Sequence, residues 1–296
     1  MTLKIRECDW EITTRCNLKC KHCLIKKSKA ELNTKECIQV IDNLFNLGCK
    51  KITFTGGEPL IKKDIMKIIE HSQKKGIENW IFTNGTLINK KNINQIKKFI
   101  TYIGFSLEGF ENENDILRGK GSFKQTLRAI TLVKDKNIHF GVYLTLNKYN
   151  YLSIKKILGF FRSLDPINIS INEMVKRGNA TKNKNQIFIK INKKSILGEV
   201  RSLYKDKFYN SKICQIVPGK FVIDSVGNIY GCTEIKQLKP SKVLGNILKN
   251  QYAEYMDFIK HITHKRNSGN SCPYECYYCK NLSLNFLSGK SCSLIK

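Results

Sequence analysis

Three cysteines fall within eight residues near the start of the sequence, in Cys16-Asn17-Leu18-Lys19-Cys20-Lys21-His22-Cys23. The spacing is C-x3-C-x2-C, and three thiolates on one short loop can hold three irons of a [4Fe–4S] cube while the fourth iron stays open to an external ligand. Zinc is the rival metal. Structural zinc wants four ligands, and His22 could supply the fourth only by turning back between Cys20 and Cys23, a cramped geometry for a tetrahedral site. Cysteines buried in a core are the bland alternative, against which stand the two lysines and the asparagine of the same loop.

Nine further cysteines set the wider pattern. Cys214, Cys232, Cys272, Cys276, Cys279 and Cys292 lie in the last third, Cys8, Cys37 and Cys49 are isolated, and none falls between residues 50 and 213. No stretch approaches the roughly 20 apolar residues needed to cross a bilayer, and Met1–Arg6 lacks the apolar core of a signal peptide. A cytoplasmic location is therefore expected, where thiols stay reduced, so twelve cysteines point to metal or redox chemistry and not to a disulfide scaffold. The net charge, 52 − 24 = +28, would attract nucleic acid, a membrane surface or an acidic peptide. The excess is mostly dispersed lysine, with no arginine-rich stripe interleaved with aromatics, so solvated faces account for most of it and nucleic acid is not expected as a partner.

The elements that must position these residues follow a regular rhythm. Short β-branched or aromatic runs at Trp10–Thr14, Lys51–Thr55, Asn79–Thr83, Tyr102–Leu107, Phe140–Leu146 and Asn168–Asn172 read as strands. Segments of helical period lie between them at Thr34–Leu47, Lys62–Lys75, Asn92–Ile100, Phe123–Lys136 and Leu152–Leu164. This alternation predicts an α/β fold of about six right-handed βα units around a parallel sheet, a partial TIM-like barrel. The chemistry should then sit on the loops that follow the strands. There the first strand runs into Cys16, the second into Gly56-Gly57-Glu58-Pro59, the third into Asn84-Gly85, and the fourth carries Ser106 and Glu108 ahead of Gly109.

With this loop after a first strand, residues 8–175 resemble the radical S-adenosylmethionine superfamily, whose fold is a partial (βα)6 barrel. The resemblance implies that Cys16, Cys20 and Cys23 bind the cluster and that its open iron chelates S-adenosylmethionine (SAM). Electron transfer, from a donor such as flavodoxin or ferredoxin, would cleave SAM to methionine and a 5′-deoxyadenosyl radical that abstracts a substrate hydrogen. Gly56, Gly57 and Glu58 match the motif that engages the methionine amino group. Ser106 and Arg118, the latter in Leu117-Arg118-Gly119, look like the residues near the ribose and carboxylate, and Asn147 like a cofactor-contacting Asn. His22 stands where the family usually has an aromatic and could stack on adenine.

The last third resembles the SPASM/Twitch extension of that family. Cys214, twelve residues, Gly227, four residues and Cys232 follow its opening pattern, with Phe221–Tyr230 predicted as a hairpin turning at Gly227 that brings the two thiols together. Cys272, Cys276, Cys279 and Cys292 depart from the full pattern, so one or two auxiliary [4Fe–4S] clusters are expected, with a zinc ribbon as the lesser reading. The division expected is 1–175 for the barrel, 176–213 for a linker and a bridging helix at Ser195–Tyr209, and 214–296 for a small cysteine-rich hairpin and helix domain, with a helix at Tyr252–Lys265.

Relatives with this extension act mainly on peptides or protein side chains. The expected reaction is a cross-link, an epimerisation or an oxidation, including formylglycine formation of the sulfatase-maturase type. A cysteine outside the clusters could give a hydrogen in epimerisation, and Glu173 is a conceivable base. Only nine residues precede the first strand, leaving no room there for a leader-recognition domain, so an acidic leader would be held by the basic enzyme core or by another protein. An RNA-modifying enzyme is the alternative, and it would need the RNA-binding module that the sequence lacks.

Overall fold

Alternation along β1 (Glu7–Thr13) sends Cys8, Trp10 and Ile12 to one face, each at most 1% exposed, and Glu7, Asp9 and Glu11 to the other. That two-sidedness builds the whole molecule. The computed structural model describes residues 5–188, 208–210, 219–233, 236, 241–258, 260 and 284–287. Six parallel strands lie side by side in chain order: β1, β2 (Lys51–Gly56), β3 (Glu78–Thr83), β4 (Tyr102–Ser106), β5 (His139–Leu146) and β6 (Asn168–Glu173). Between them run α1 (Thr34–Asn46), α2 (Ile65–Lys74), α3 (Ile93–Phe99), α4 (Glu111–Arg118), α5 (Ser122–Asp135) and α6 (Ile154–Ser163). This is the α/β partial-barrel arrangement that the sequence rhythm predicts.

The helices cover an aliphatic face. Trp10 and Phe54 of the strands share one core with Val40, Ile41 and Leu44 of α1 and with Ile157 and Phe161 of α6, and α1 begins at a capping box in which Asn33 and Glu36 satisfy each other's backbone N–H groups. The other face of the sheet is polar and aromatic. Lys51 bonds Glu7 at 2.8 Å and sits 4.2 Å above the Trp80 ring, Trp80 lies 4.5 Å from Tyr102, and the Tyr102 and Tyr143 hydroxyls meet at 3.1 Å. Gly141 makes room for this packing, since a Cβ there would stand 2.0 Å from the Tyr102 hydroxyl.

Three features depart from the sequence expectation. Helix α4 has only Asn114 and Leu117 buried, so no apolar stripe announces it. Polar contacts hold it instead: Asn114 accepts from the Glu108 N–H and donates to Ser122, while Asp115 accepts the N–H groups of Gly121 and Phe123 at the start of α5. The stretch after β6, expected as linker, forms two short helical turns, α7 (Asn179–Lys182) and α8 (Lys184–Ile187), seated by fully buried Ala180 and Ile187. Strand β7 (Phe208–Asn210) takes up the end of the expected bridging helix, whose earlier residues lie outside the described ones.

The expected hairpin is present as β8 (Lys220–Ile223) and β9 (Ile229–Tyr230), turning at Gly227 with φ +85°. It is continuous with the barrel, because β8 runs parallel to β1 with Asp9 opposite Val222. At the far edge β10 (Leu284–Leu287) pairs antiparallel with β6 and with β7. Of the helix expected at Tyr252–Lys265, residues 253–258 are helical, and Tyr255 packs edge-on against Phe221. No described helix is long and apolar enough to cross a membrane.

Candidate active site

The cysteine loop leaves β1 at a point where two backbones almost touch. The N–H groups of Gly57 and Glu58 donate to the carbonyls of Thr13 and Arg15, each at 2.8 Å. A Cβ on Gly57 would stand 2.0 Å from the Arg15 oxygen, and one on Gly56, which has φ +132°, 2.2 Å from the Thr13 oxygen. The two glycines therefore join the end of β2 to the root of the cysteine loop. Their neighbour Glu58 is fully buried, its carboxylate accepting from the Thr83 hydroxyl and from the N–H groups of Leu60 and Asn84. Burial pushes its carboxyl above the ordinary range against the pull of those donors. Glu58 thus ties the loop after β2 to the loop after β3.

The loop's return is tied as firmly. Glu31 accepts from the Thr13 hydroxyl at 2.6 Å and from the Arg15 guanidinium at 2.7 Å, and Lys62 reaches it at 3.4 Å. Thr14 and Ser28 exchange two further bonds of 2.9 Å. At the Cys16 sulfur, the Leu18 N–H approaches to 3.4 Å and the Asn84 amide to 3.9 Å.

Cys20 is buried, and Cys16 and Cys23 are half-buried. All three feel one another electrostatically, and burial, outweighing the Arg118 charge, pushes the Cys20 thiol up to about 11. Deprotonation is what a bound metal would bring about. Among the described residues no three His, Cys, Asp or Glu side chains converge closely enough to share a single ion. Thiolates are the donors that an iron–sulfur cluster takes.

His22 does not turn back between the cysteines. Its Nε2 lies 3.4 Å from the Glu108 carboxylate, and its Nδ1 is buried without a hydrogen-bond partner among the described residues. Arg118 meets the same carboxylate through Nε at 3.0 Å and through Nη2, and the Thr145 N–H donates to the other oxygen at 2.7 Å. Burial alone would raise the Glu108 carboxyl, but Arg118, His22 and Thr145 overcome it and hold it down at about 2. Arg118 lies beside the cysteine loop: its carbonyl is 4.0 Å from the Cys20 sulfur and the Leu117 carbonyl accepts the Lys21 N–H at 2.8 Å.

The remaining expected residues divide. Ser106 is half-buried at the end of β4. Asn147 is fully buried and turned onto its own strand end, donating to the Thr145 carbonyl and accepting the Tyr149 N–H. Cys232 is buried just past β9, whereas Cys214, Cys272, Cys276, Cys279 and Cys292 lie outside the described residues.

Sequence reasoning placed Glu108 on the rim after the fourth strand but gave it no role. It missed two residues that act on the loop, Asn179 and Asn183. The Asn179 N–H donates to the Cys23 carbonyl at 2.9 Å and its side chain to that of Cys20 at 3.1 Å, while the Asn183 amide reaches the Lys21 carbonyl at 3.1 Å.

Comparison with known proteins agrees with this architecture. The sequence profile of the radical SAM superfamily matches residues 10–161. An Fe-coproporphyrin III synthase of Methanosarcina barkeri is 34% identical over 183 residues, 60% of this chain and 46% of that protein. The antilisterial bacteriocin subtilosin biosynthesis protein AlbA of Bacillus subtilis is 34% identical over 170 residues, 55% of this chain and 38% of that protein. The chain spans about half the length of such curated relatives or less. A solved structure of anSMEcpe with bound AdoMet shares the fold at a TM-score of 0.65 and 20% identity, over 86% of this chain and 82% of that one. The chain belongs to the radical SAM superfamily, as an enzyme that uses a [4Fe–4S] cluster and SAM.

Proposed function

We propose that this enzyme modifies a peptide or a protein side chain, with Cys16, Cys20 and Cys23 holding the cluster. When bound, the cluster and SAM supply the 5′-deoxyadenosyl radical. The chain's own residues position them. Gly56 and Gly57 admit close backbone approach at the rim, Glu58 braces that rim, Arg118 offers a charged fork for the SAM carboxylate, and Ser106 offers a hydroxyl nearby. His22 has its ring in the same polar pocket.

One observation carries the substrate reading: the β8–β9 hairpin, ending at buried Cys232, lies against β1 beside the cysteine loop. A hairpin turning at Gly227 ahead of Cys232 is what the SPASM/Twitch resemblance calls for, so we assign residues 214–296 to an auxiliary-cluster domain, with one or two [4Fe–4S] clusters held by Cys214, Cys232 and the later cysteines. A cytoplasmic location and a flavodoxin or ferredoxin donor go with this reading. AlbA, a bacteriocin biosynthesis protein, supports it. The similarity to Fe-coproporphyrin III synthase favours a second reading, a tetrapyrrole substrate.

The test is anaerobic reconstitution, iron counting and assay of 5′-deoxyadenosine, with Cys16, Cys20 and Cys23 changed together to Ala. About eight or more irons per chain and cleavage abolished in the variant are expected, since one cube holds four. About four irons would remove the auxiliary cluster. Candidate peptides and coproporphyrin are then compared by mass spectrometry, and conversion of the tetrapyrrole alone would replace the peptide reading with the second one.

A further inference from the structure

A cavity of about 780 Å3 lies beside the cysteine loop. Its wall is drawn from both edges of the six-stranded parallel array: Glu11 and Thr14 from the end of β1, and Arg177 to Asn179 from the segment after β6. The β8–β9 hairpin closes another side with Asp224 and Tyr230, and Cys20 and Cys23 form part of the wall. The cavity therefore occupies the opening between the first and last parallel strands, and whatever enters it lies against the proposed cluster loop.

Its charges are unbalanced. The two acids in the wall are already engaged. Glu11 pairs with Lys236 at 2.5 Å, and Asp224 accepts from the N–H groups of Val226 and Asn228, the Asn228 amide and the Tyr230 hydroxyl. Lys19, Lys26, Lys27 and Lys182 also line the cavity, all exposed, and none has an acidic partner among the described residues. Like charges gathered around a concave site raise the local concentration of anions and favour an anionic occupant.

We propose that this cavity is the substrate site and that it receives a substrate through its carboxylates, held by the lysines at the mouth. The inference rests on the peptide reading for its preferred occupant, a segment rich in Glu or Asp, but its chemistry is that of carboxylates in general. Lys19 adjoins Cys20, and Lys27 influences Cys16 electrostatically, so these two also compensate the charge of the cluster loop. Lys26 and Lys182 line the same cavity and are exposed, so they are the pair to change.

The test uses the reconstituted enzyme and fluorescence anisotropy with two labelled ten-residue peptides, one alternating Glu with Ala and one alternating Gln with Ala, beside the intrinsic fluorescence of coproporphyrin III. A Lys26→Glu/Lys182→Glu variant is compared with Lys67→Glu/Lys134→Glu, an equal change of charge on the exposed faces of α2 and α5. The acidic peptide should bind at least tenfold tighter than the Gln peptide, and the mouth variant should lose at least tenfold while the control loses less than threefold. Coproporphyrin binding with the same dependence on Lys26 and Lys182, and no peptide binding, would keep the carboxylate site and sink the peptide reading. Equal losses in both variants would make the attraction a property of net charge and overturn the site, as would equal affinity for the two peptides with no coproporphyrin binding. A mouth variant whose iron content falls while its affinity per folded chain holds would also overturn it.

Discussion

Arg118 and Glu108 form an ion pair that is closed to water: the Glu108 side chain is 0% exposed and that of Arg118 10%. The pair joins the end of β4 to the last residue of α4, and His22 on the same carboxylate joins both to the cysteine loop. Glu108 thereby positions both the Arg118 guanidinium and the His22 ring of the cysteine loop.

Replacing Glu108 by Gln leaves a buried guanidinium without its charge partner, a change that costs about 3 kcal/mol. The carboxyl is held at about 2 in the folded chain against 4.5 ordinarily, so its contribution is complete above about pH 4.5 and is lost as the pH falls toward 2. Chemical denaturation of the apo chain should therefore show a gap between wild type and E108Q that is wide at pH 7 and shrinks below pH 4.5. A gap independent of pH would mean that shape, not charge, is what Glu108 contributes.

The backbone of the cysteine loop is pinned from outside by Asn179 and Asn183, which serve three carbonyls between Cys20 and Cys23. Each side-chain bond contributes about 1 kcal/mol, so Asn179→Ala with Asn183→Ala should accelerate hydrogen exchange at Lys21 and Cys23 by roughly tenfold or more. Exchange in α1, on the far side of the sheet from these contacts, should not change. Unaltered exchange in the loop would show that β1 and Glu31 hold it alone.

Much of this was legible in the sequence. The six strands and five of the helices followed from periodicity because each buries an aliphatic stripe, as Val40, Ile41 and Leu44 do in α1. The cysteine loop and the Gly-Gly-Glu turn were legible because few other structures need those residues at those spacings. What stayed hidden was held by polar groups, which leave no apolar stripe. Helix α4 rests on Asn114 and Asp115, and Asn179 meets Cys20 across 159 residues. The bonds that fix Glu58 to Thr83 and Asn147 to Thr145 left no sequence signal of their own. The role of the hairpin as an added strand beside β1 could not be read either, since pairing across more than 200 residues leaves no local pattern.

Gly57→Ala tests the junction between β2 and the cysteine loop. The new methyl would stand 2.0 Å from the Arg15 oxygen and 2.6 Å from its carbonyl carbon, both backbone atoms, so the two loops must separate. A loss of about 3 kcal/mol is expected, together with weaker retention of iron after reconstitution and desalting. A variant as stable as wild type and fully loaded would show that the loops part at no cost.

The isolated cysteines give a prediction that separates packing from chemistry. Cys8, Cys37 and Cys49 are at most 1% exposed and lie in the core between sheet and helices. Burial pushes their thiols up, that of Cys37 to about 11 and that of Cys49 to about 12. Thiols so placed are inert and sit on the wrong face of the sheet to donate a hydrogen to a substrate in the cavity. Iodoacetamide on the native apo chain should therefore label half-buried Cys16 and Cys23 at least tenfold faster than these three, with peptide mapping as the readout. Reconstitution with iron and sulfide should then protect Cys16, Cys20 and Cys23 together. Labelling of Cys49 at the rate of Cys23 would contradict the packing of β1 and β2 against α1, and loss of protection at only one or two of the loop thiols would contradict a cluster shared by all three.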